Sequence, residues 1–136
     1  SARGVAGSIE IREEFSAGLV DLDGFSHLIV IYQFHQQSKI QLTVTPFLDD
    51  SPHGIFATRA PCRPNLIGVS LLKLVSIEGR VLTVEDVDML DMTPLIDIKP
   101  YISSFDQPEG VTRSGWFAQS KMKLSQARSD ERFCGS

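Results

Sequence analysis

The sequence predicts an all-β fold, a small barrel-like antiparallel domain with short helical segments, on three observations. Apolar residues fall in short runs punctuated by Gly, Pro, Asn and Asp. Residues 26–35 are dense in β-branched and aromatic side chains, which suits a central strand. Residues 66–77 meet residues 81–84 through Glu78-Gly79-Arg80, a glycine turn that makes a hairpin.

In chain order, residues 1–7 lack the apolar core of a signal peptide or transit helix and read as the ragged start of a longer chain. Residues 40–45 alternate Ile, Leu and Val with Gln and Thr, so one face is buried and the other polar. Pro46 ends that ladder because it has no N–H to donate. Pro61 and Pro64 exclude a regular helix or interior strand from residues 57–65. Residues 86–101 alternate carboxylates with apolar anchors, the pattern of a partly buried loop whose polar groups point at something. Residues 119–132 hold helix formers with weak periodicity, enough for a short surface helix or a frayed tail. Without an internal repeat, low-complexity run or linker, residues 1–136 read as one domain.

Composition agrees. The 136 residues are 42% hydrophobic and 22% charged, enough to bury the core of one domain and unlike a disordered chain. No apolar run reaches the roughly 20 residues of a membrane helix. The net charge of −4 argues against binding nucleic acid by overall charge, but it is uneven. Residues 1–55 carry 3 basic and 7 acidic side chains and residues 99–136 carry 6 and 4. A polyanion would therefore be met locally, at Arg59 and Arg63 or at the basic tail.

His27, His35 and His53 form no HxH or HxxxH pair, and two of them would lie about 26 Å apart along a straight strand, so no metal site is expected. Cys62 and Cys134 have no CxxC spacing and read as two free thiols in a reducing cytosol. The acidic residues between positions 78 and 97 are either solvated or set for acid–base work. Pro94 and Pro100 would stiffen the chain around Asp97 and Lys99. Arg59 and Arg63, on a Pro-rich backbone, suit a phosphate or carboxylate in fork geometry, or a pair of surface salt bridges. Neither GxGxxG nor GxxxxGK[ST] occurs, which disfavours a Rossmann enzyme and a P-loop NTPase.

Several ordered strings resemble one family. They are Gly18-Leu19, Asp21-Leu22 and Gly24-Phe25-Ser26-His27; Phe34-His35-Gln36; Gly54-Ile55-Phe56-Ala57-Thr58-Arg59-Ala60-Pro61; Arg63-Pro64-Asn65 with Ile67-Gly68-Val69-Ser70; and Asp88-Met89-Leu90-Asp91 through Thr93-Pro94 to Asp97-Ile98-Lys99-Pro100-Tyr101. Over residues 8–106 they look like the TrmO/TsaA-like family, with 107–136 as a C-terminal tail. Those proteins are S-adenosylmethionine-dependent methyltransferases of N6-threonylcarbamoyladenosine at tRNA position 37.

The resemblance implies a cytoplasmic homodimer with tRNA as partner, S-adenosyl-L-methionine as cofactor near the subunit interface, and neither metal nor membrane. Cofactor contacts would fall on His35, Gln36, Arg59, Val69, Glu85, Asp86, Val87 and Asp88. Arg63, Asn65 and Lys99 would meet the substrate, and Asp91, Asp97, Lys99 and Tyr101 are the candidates for catalysis. The alternative is a non-catalytic β-barrel module that binds S-adenosylmethionine or a nucleotide. Three departures stand out. The family's N-terminal strand and Pro-Arg-Gln segment have no counterpart before Ser8, Leu66 replaces a proline, and Met92 replaces a glycine, where a side chain takes positive φ only at a cost.

Overall fold

The computed structural model describes residues 4–34, 39–46, 49–89 and 91–124, with side chains as far as residue 120. Seven strands follow in order: β1 (Ala6–Glu10), β2 (His27–Gln33), β3 (Thr43–Val44), β4 (His53–Gly54), β5 (Ile67–Glu78), β6 (Val81–Glu85) and β7 (Leu95–Pro100). Two α-helices, α1 (Ser103–Asp106) and α2 (Trp116–Leu124), and three short 3-10 segments complete the described chain. The fold is thus antiparallel β with short helices, as the sequence indicates. Its main sheet is open, in the order β1-β6-β5-β2-β7, with β1 and β7 at its edges.

The hairpin forms where glycine permits it. Glu78 pairs with Val81 across a two-residue turn, and Gly79 takes φ +61° at its first position, as a turn matched to strand twist requires. Between β2 and β5, Phe34 N–H donates to Leu66 O and Leu74 N–H to Ser26 O. The same number of residues separates the two bonds on each strand, in opposite directions. The strands are therefore antiparallel, with Val69 opposite Ile31 and Leu71 opposite Ile29.

By its contacts the chain divides into two compact units. Unit 2 comprises Ala2–Tyr32 and Val69–Gln107. Its core is the inward alternation of three strands, Leu28 and Val30, Leu72, and Leu82 and Val84, all almost fully buried, with Ile9 and Tyr32 at the margin. Each such side chain contributes about 2 kcal/mol by burial, an upper estimate. Unit 1 comprises Ser1, Gln33–Gly68 and Pro108–Ser136, and Val44, Ile55, Ala60 and Cys62 form its buried cluster. There β3 and β4 make a minimal ribbon, and Ile55 N–H donates to Leu42 O beside it.

Four expectations are corrected. Residues 95–100 are not loop but strand β7, because Leu95, Ile98 and Pro100 alternate against β2. A bulge at Ile96 hides that period. A strand does stand at the N-terminus: β1, whose small Ala-Gly-Ser start carries little β propensity, pairs with β6 from Ala6↔Glu85 to Glu10↔Val81. The alternating run at 40–45 reduces to the two-residue β3. Cys62 is not a free thiol but disulfide-bonded, and the chain's other cysteine, Cys134, lies outside the described residues. Helix α2 starts at Trp116, three residues before the predicted segment, whose part beyond 124 also lies outside.

Candidate functional site

In unit 2 four of the candidate residues, 85–88, lie at the end of β6. Residues 85–88 leave the sheet there, and the N-terminal strand holds them by three links. Ala6 pairs with Glu85, Val87 N–H donates to Val5 O at 3.1 Å, and the Asp86 carboxylate accepts from Gly4 N–H at 2.7 Å. Asp86 sits at φ +71°, a left-handed backbone that Asp tolerates better than most residues. Close approach is possible because β1 has a glycine at the crossing, where a Cβ on Gly7 would lie 2.8 Å from Val87 Cγ2. Asp86 and Val87 thus fix the segment.

Asp88 is exposed, and its Oδ1 accepts a 2.7 Å hydrogen bond from the buried Ser70 hydroxyl. Ser70 Oγ also lies 3.3 Å from the Tyr32 hydroxyl, itself buried. Two hydroxyls on adjacent strands therefore set the direction of one carboxylate. Sequence reasoning missed both. The only signal was a small polar residue at an inward position of an alternating strand, after Gly68 and Val69.

The outward face of the same sheet carries the other candidates in rows. Val69, opposite Ile31, shares a row with Asp97 because Ile31 pairs with Asp97 on β7. The next row has Leu71, Ile29 and Lys99. Lys73 pairs with Glu85. Val69 and Leu71 remain 46% and 49% exposed, which leaves an apolar strip along β5. Tyr101 follows β7, its N–H donating to His27 O, with its ring edge-on to the His27 imidazole at 6.3 Å.

Electrostatics separates the catalytic candidates. Lys99 Nζ lies 2.9 Å from Asp97 Oδ2, and the Ile98 N–H donates to Asp97 Oδ1. The hydrogen bond from Lys99, then that from Ile98, holds the Asp97 carboxyl below the ordinary carboxylate value. A carboxylate so stabilised is a weak base at neutral pH, so Asp97 is suited to orienting a partner rather than to taking a proton. Asp91 is exposed in the turn that Met92 completes. Met92 takes φ +61°, so the backbone keeps the conformation a glycine would give and the side chain bears the strain.

In unit 1, Arg59 is exposed, whereas Arg63 turns back on its own loop. Its Nη1 donates to Thr58 O at 2.9 Å and Ala60 O at 3.1 Å, so the guanidinium braces the Pro-rich segment. Thr58 helps, its hydroxyl donating to Ile55 O and accepting from Ala60 N–H. Asn65 is exposed, and its carbonyl accepts from Ile67 N–H. His35 and Gln36 lie outside the described residues. The structure thus assigns Val69, residues 85–88, Asp91, Asp97, Lys99 and Tyr101 to one unit and Arg59, Arg63 and Asn65 to the other. Among the described residues no group of three or more His, Cys, Asp or Glu side chains is placed to hold a metal ion. Nor is any described helix long and apolar enough to cross a membrane.

Residues 1–107 match the family model of the tRNA-methyltransferase O N-terminal domain. The chain is 49% identical over 133 residues to a probable S-adenosyl-L-methionine-binding protein of Pyrococcus abyssi, covering 98% of this chain and 72% of that one. It is 39% identical over 97 residues to the tRNA (adenine(37)-N6)-methyltransferase of Mus musculus, covering 69% of this chain but 22% of that one. The crystal structure of TrmO from Pseudomonas aeruginosa superposes with a TM-score of 0.68 at 34% identity, covering 85% of this chain and 50% of that one. The chain therefore spans most of its Pyrococcus relative, half of the solved TrmO chain and under a quarter of the mouse enzyme.

Proposed function

Because the chain belongs to the tRNA-methyltransferase O N-terminal-domain family, we propose that it transfers the methyl group of S-adenosyl-L-methionine to N6 of threonylcarbamoyladenosine at tRNA position 37. The observation that carries this reading is the match over residues 1–107, which takes in residues 85–88 and the strand that holds them.

The residues present suit the cofactor. S-adenosylmethionine offers an ammonium group and ribose hydroxyls, all hydrogen-bond donors, and a cationic sulfonium. The carboxylate of Asp88, aimed by Ser70, accepts from such donors, and the acidic surroundings of unit 2 favour a cation. His35, Gln36, Val69 and the backbone of 85–88 complete the proposed cofactor set. Arg59 meets the cofactor's carboxylate, and Arg63, Asn65 and Lys99 border the anionic threonyl group of the substrate.

When bound, the cofactor supplies an electrophilic methyl carbon. The chain's own task is then positioning, since the accepting nitrogen must approach in line at about 3–3.5 Å. The Asp97–Lys99 pair orients the acceptor. The proton leaves to Asp91, Tyr101 or solvent.

The apolar strip of Val69, Leu71, Ile29 and Ile31 supports a homodimer through this sheet face, which sedimentation or light scattering tests by mass. A tRNA substrate favours the cytoplasm. The deciding experiment incubates the protein with methyl-labelled cofactor and tRNA that has, or lacks, the threonylcarbamoyl group. Label should enter only the modified tRNA, and its absence despite cofactor binding would overturn the proposal. That outcome is what the second reading, a non-catalytic cofactor-binding module, predicts, and the name of the Pyrococcus relative favours it.

A further inference from the structure

The net charge of −4 divides sharply between the two units. Unit 1 holds 8 Lys and Arg against 5 Asp and Glu, and unit 2 holds 5 against 12, so the first is +3 and the second −7. Within unit 1 the excess lies in two segments. Residues 51–68 contain Arg59 and Arg63 and no acidic side chain, and residues 108–124 contain Arg113, Lys121 and Lys123 against Glu109 alone. Asp49, nearby in sequence, is already paired with His53.

The structure ties these segments together. Trp116 Nε1–H donates to Ala57 O at 2.8 Å, and the indole stacks on His53 with ring centroids 4.6 Å apart and planes 13° from parallel. Trp116 is consequently spent on holding α2 in place. The rings beside this joint are different. Phe56 precedes Ala57 and is 78% exposed; Phe117 follows Trp116, edge-on to it at 5.9 Å, and is 46% exposed. Arg59 and Arg113, one on each segment, are exposed too.

From this combination we infer that Phe56 and Phe117 form a stacking platform for unpaired nucleotides of the tRNA, with Arg113 meeting an adjoining phosphate; the inference rests on the tRNA reading above. Exposed phenyl rings are costly in water and accept the face of any base, and a guanidinium beside them meets the backbone charge. A duplex hides its base faces, so the platform selects unpaired positions such as those of an anticodon loop. The acid-rich unit 2 would repel the same backbone.

The test titrates the full chain into a fluorescent anticodon stem-loop RNA and into a blunt RNA duplex of equal charge. Phe56→Ala and Phe117→Ala should each weaken stem-loop binding about 5- to 100-fold, since stacking on one ring carries roughly that much. Phe117→Tyr should bind as the parent does, melting temperature should hold in Phe56→Ala and Phe117→Tyr, and cofactor affinity should hold in all three variants. Equal binding of the stem-loop by parent and both alanine variants, or equal binding of loop and duplex, overturns the platform. In either case methyl transfer by the parent leaves the tRNA reading standing. A parent chain that neither binds the stem-loop nor methylates tRNA overturns both.

Discussion

Replacing Gly7 by Ala tests whether β1 is what holds residues 85–88 in place. A Cβ at that position would lie 2.8 Å from Val87 Cγ2, whereas carbon atoms settle at about 3.5–4 Å, so something must move by roughly 1 Å. Val87 has little room to yield. Its branched side chain is stiff at χ1, and its N–H is tied to Val5 O on the strand's own approach. Overpacking of this size costs about 1–3 kcal/mol. Alanine's smaller unfolded-state entropy returns about 0.5–1 kcal/mol, which leaves a net loss of about 1–2 kcal/mol. For a chain of this length the melting temperature should fall by about 3–8 °C. Calorimetry on Gly7→Ala, Val87→Ala and the double variant makes the argument specific. Removing the Val87 methyl groups removes the clash, so the double variant should lose less than the two single losses added, with a coupling of about 0.5–2 kcal/mol. A Gly7→Ala protein that melts with the parent, or strict additivity in the cycle, would refute the packing argument.

Four further outcomes follow from the same geometry. Ser70→Ala removes the hydroxyl that aims Asp88, and isothermal titration should show S-adenosylmethionine binding about 5- to 10-fold weaker, the worth of roughly one hydrogen bond; an unchanged Kd in a folded variant would count against the role. Met92→Gly should raise the urea midpoint by the equivalent of about 0.5–1 kcal/mol. Relief of the left-handed backbone exceeds the added chain entropy, and the 85% exposed side chain gives up little burial, so a lower midpoint would contradict the strain. The hydrogen bond from His53 holds the Asp49 carboxyl below its ordinary 3.8, so its stabilisation is present above that pH and is lost as pH falls through the lower folded value. The melting-temperature gap between the parent and Asp49→Asn should therefore close in strong acid, and a gap that widened there would reverse the sign. Asp97→Asn should lower methyl transfer yet leave the neutral part of its pH profile in shape, because Lys99 keeps Asp97 ionised; a limb lost near neutrality would make Asp97 the base after all.

What the sequence disclosed and what it hid follow from the range of the interactions. The β5–β6 hairpin was legible because its cause is local, a glycine at a fixed offset between two β-branched runs. The roles of Ser70 and Tyr32 were not, since each looks like an ordinary strand residue until β2 and β5 are set in register. Strand β7 was hidden by its bulge, and β1 by small residues whose value is the room they leave for Val87. The bracing of the Pro-rich segment by Arg63 was hidden too, because its carbonyl partners are backbone atoms, which no motif displays. Met92 reads as a lost turn, yet the backbone there still takes the left-handed conformation, at φ +61°.

The same reasoning changes what a net charge of −4 means. A cofactor with sulfonium and ammonium groups and a polyanionic substrate make opposite demands on one small protein, and a uniform surface would meet neither. The chain divides its charge by where its segments pair. Segments 2–32 and 69–107, rich in Asp and Glu, build the sheet that holds Asp88 and Asp97, and segments 33–68 and 108–136 collect the excess of Lys and Arg. Added salt should therefore weaken RNA binding steeply, because counterion release governs phosphate contacts. Cofactor binding through the proposed hydrogen bonds to Asp88, a carboxylate already held by Ser70, should respond far less. Equal salt slopes for the two ligands would mean that they do not rely on separate sets of charges.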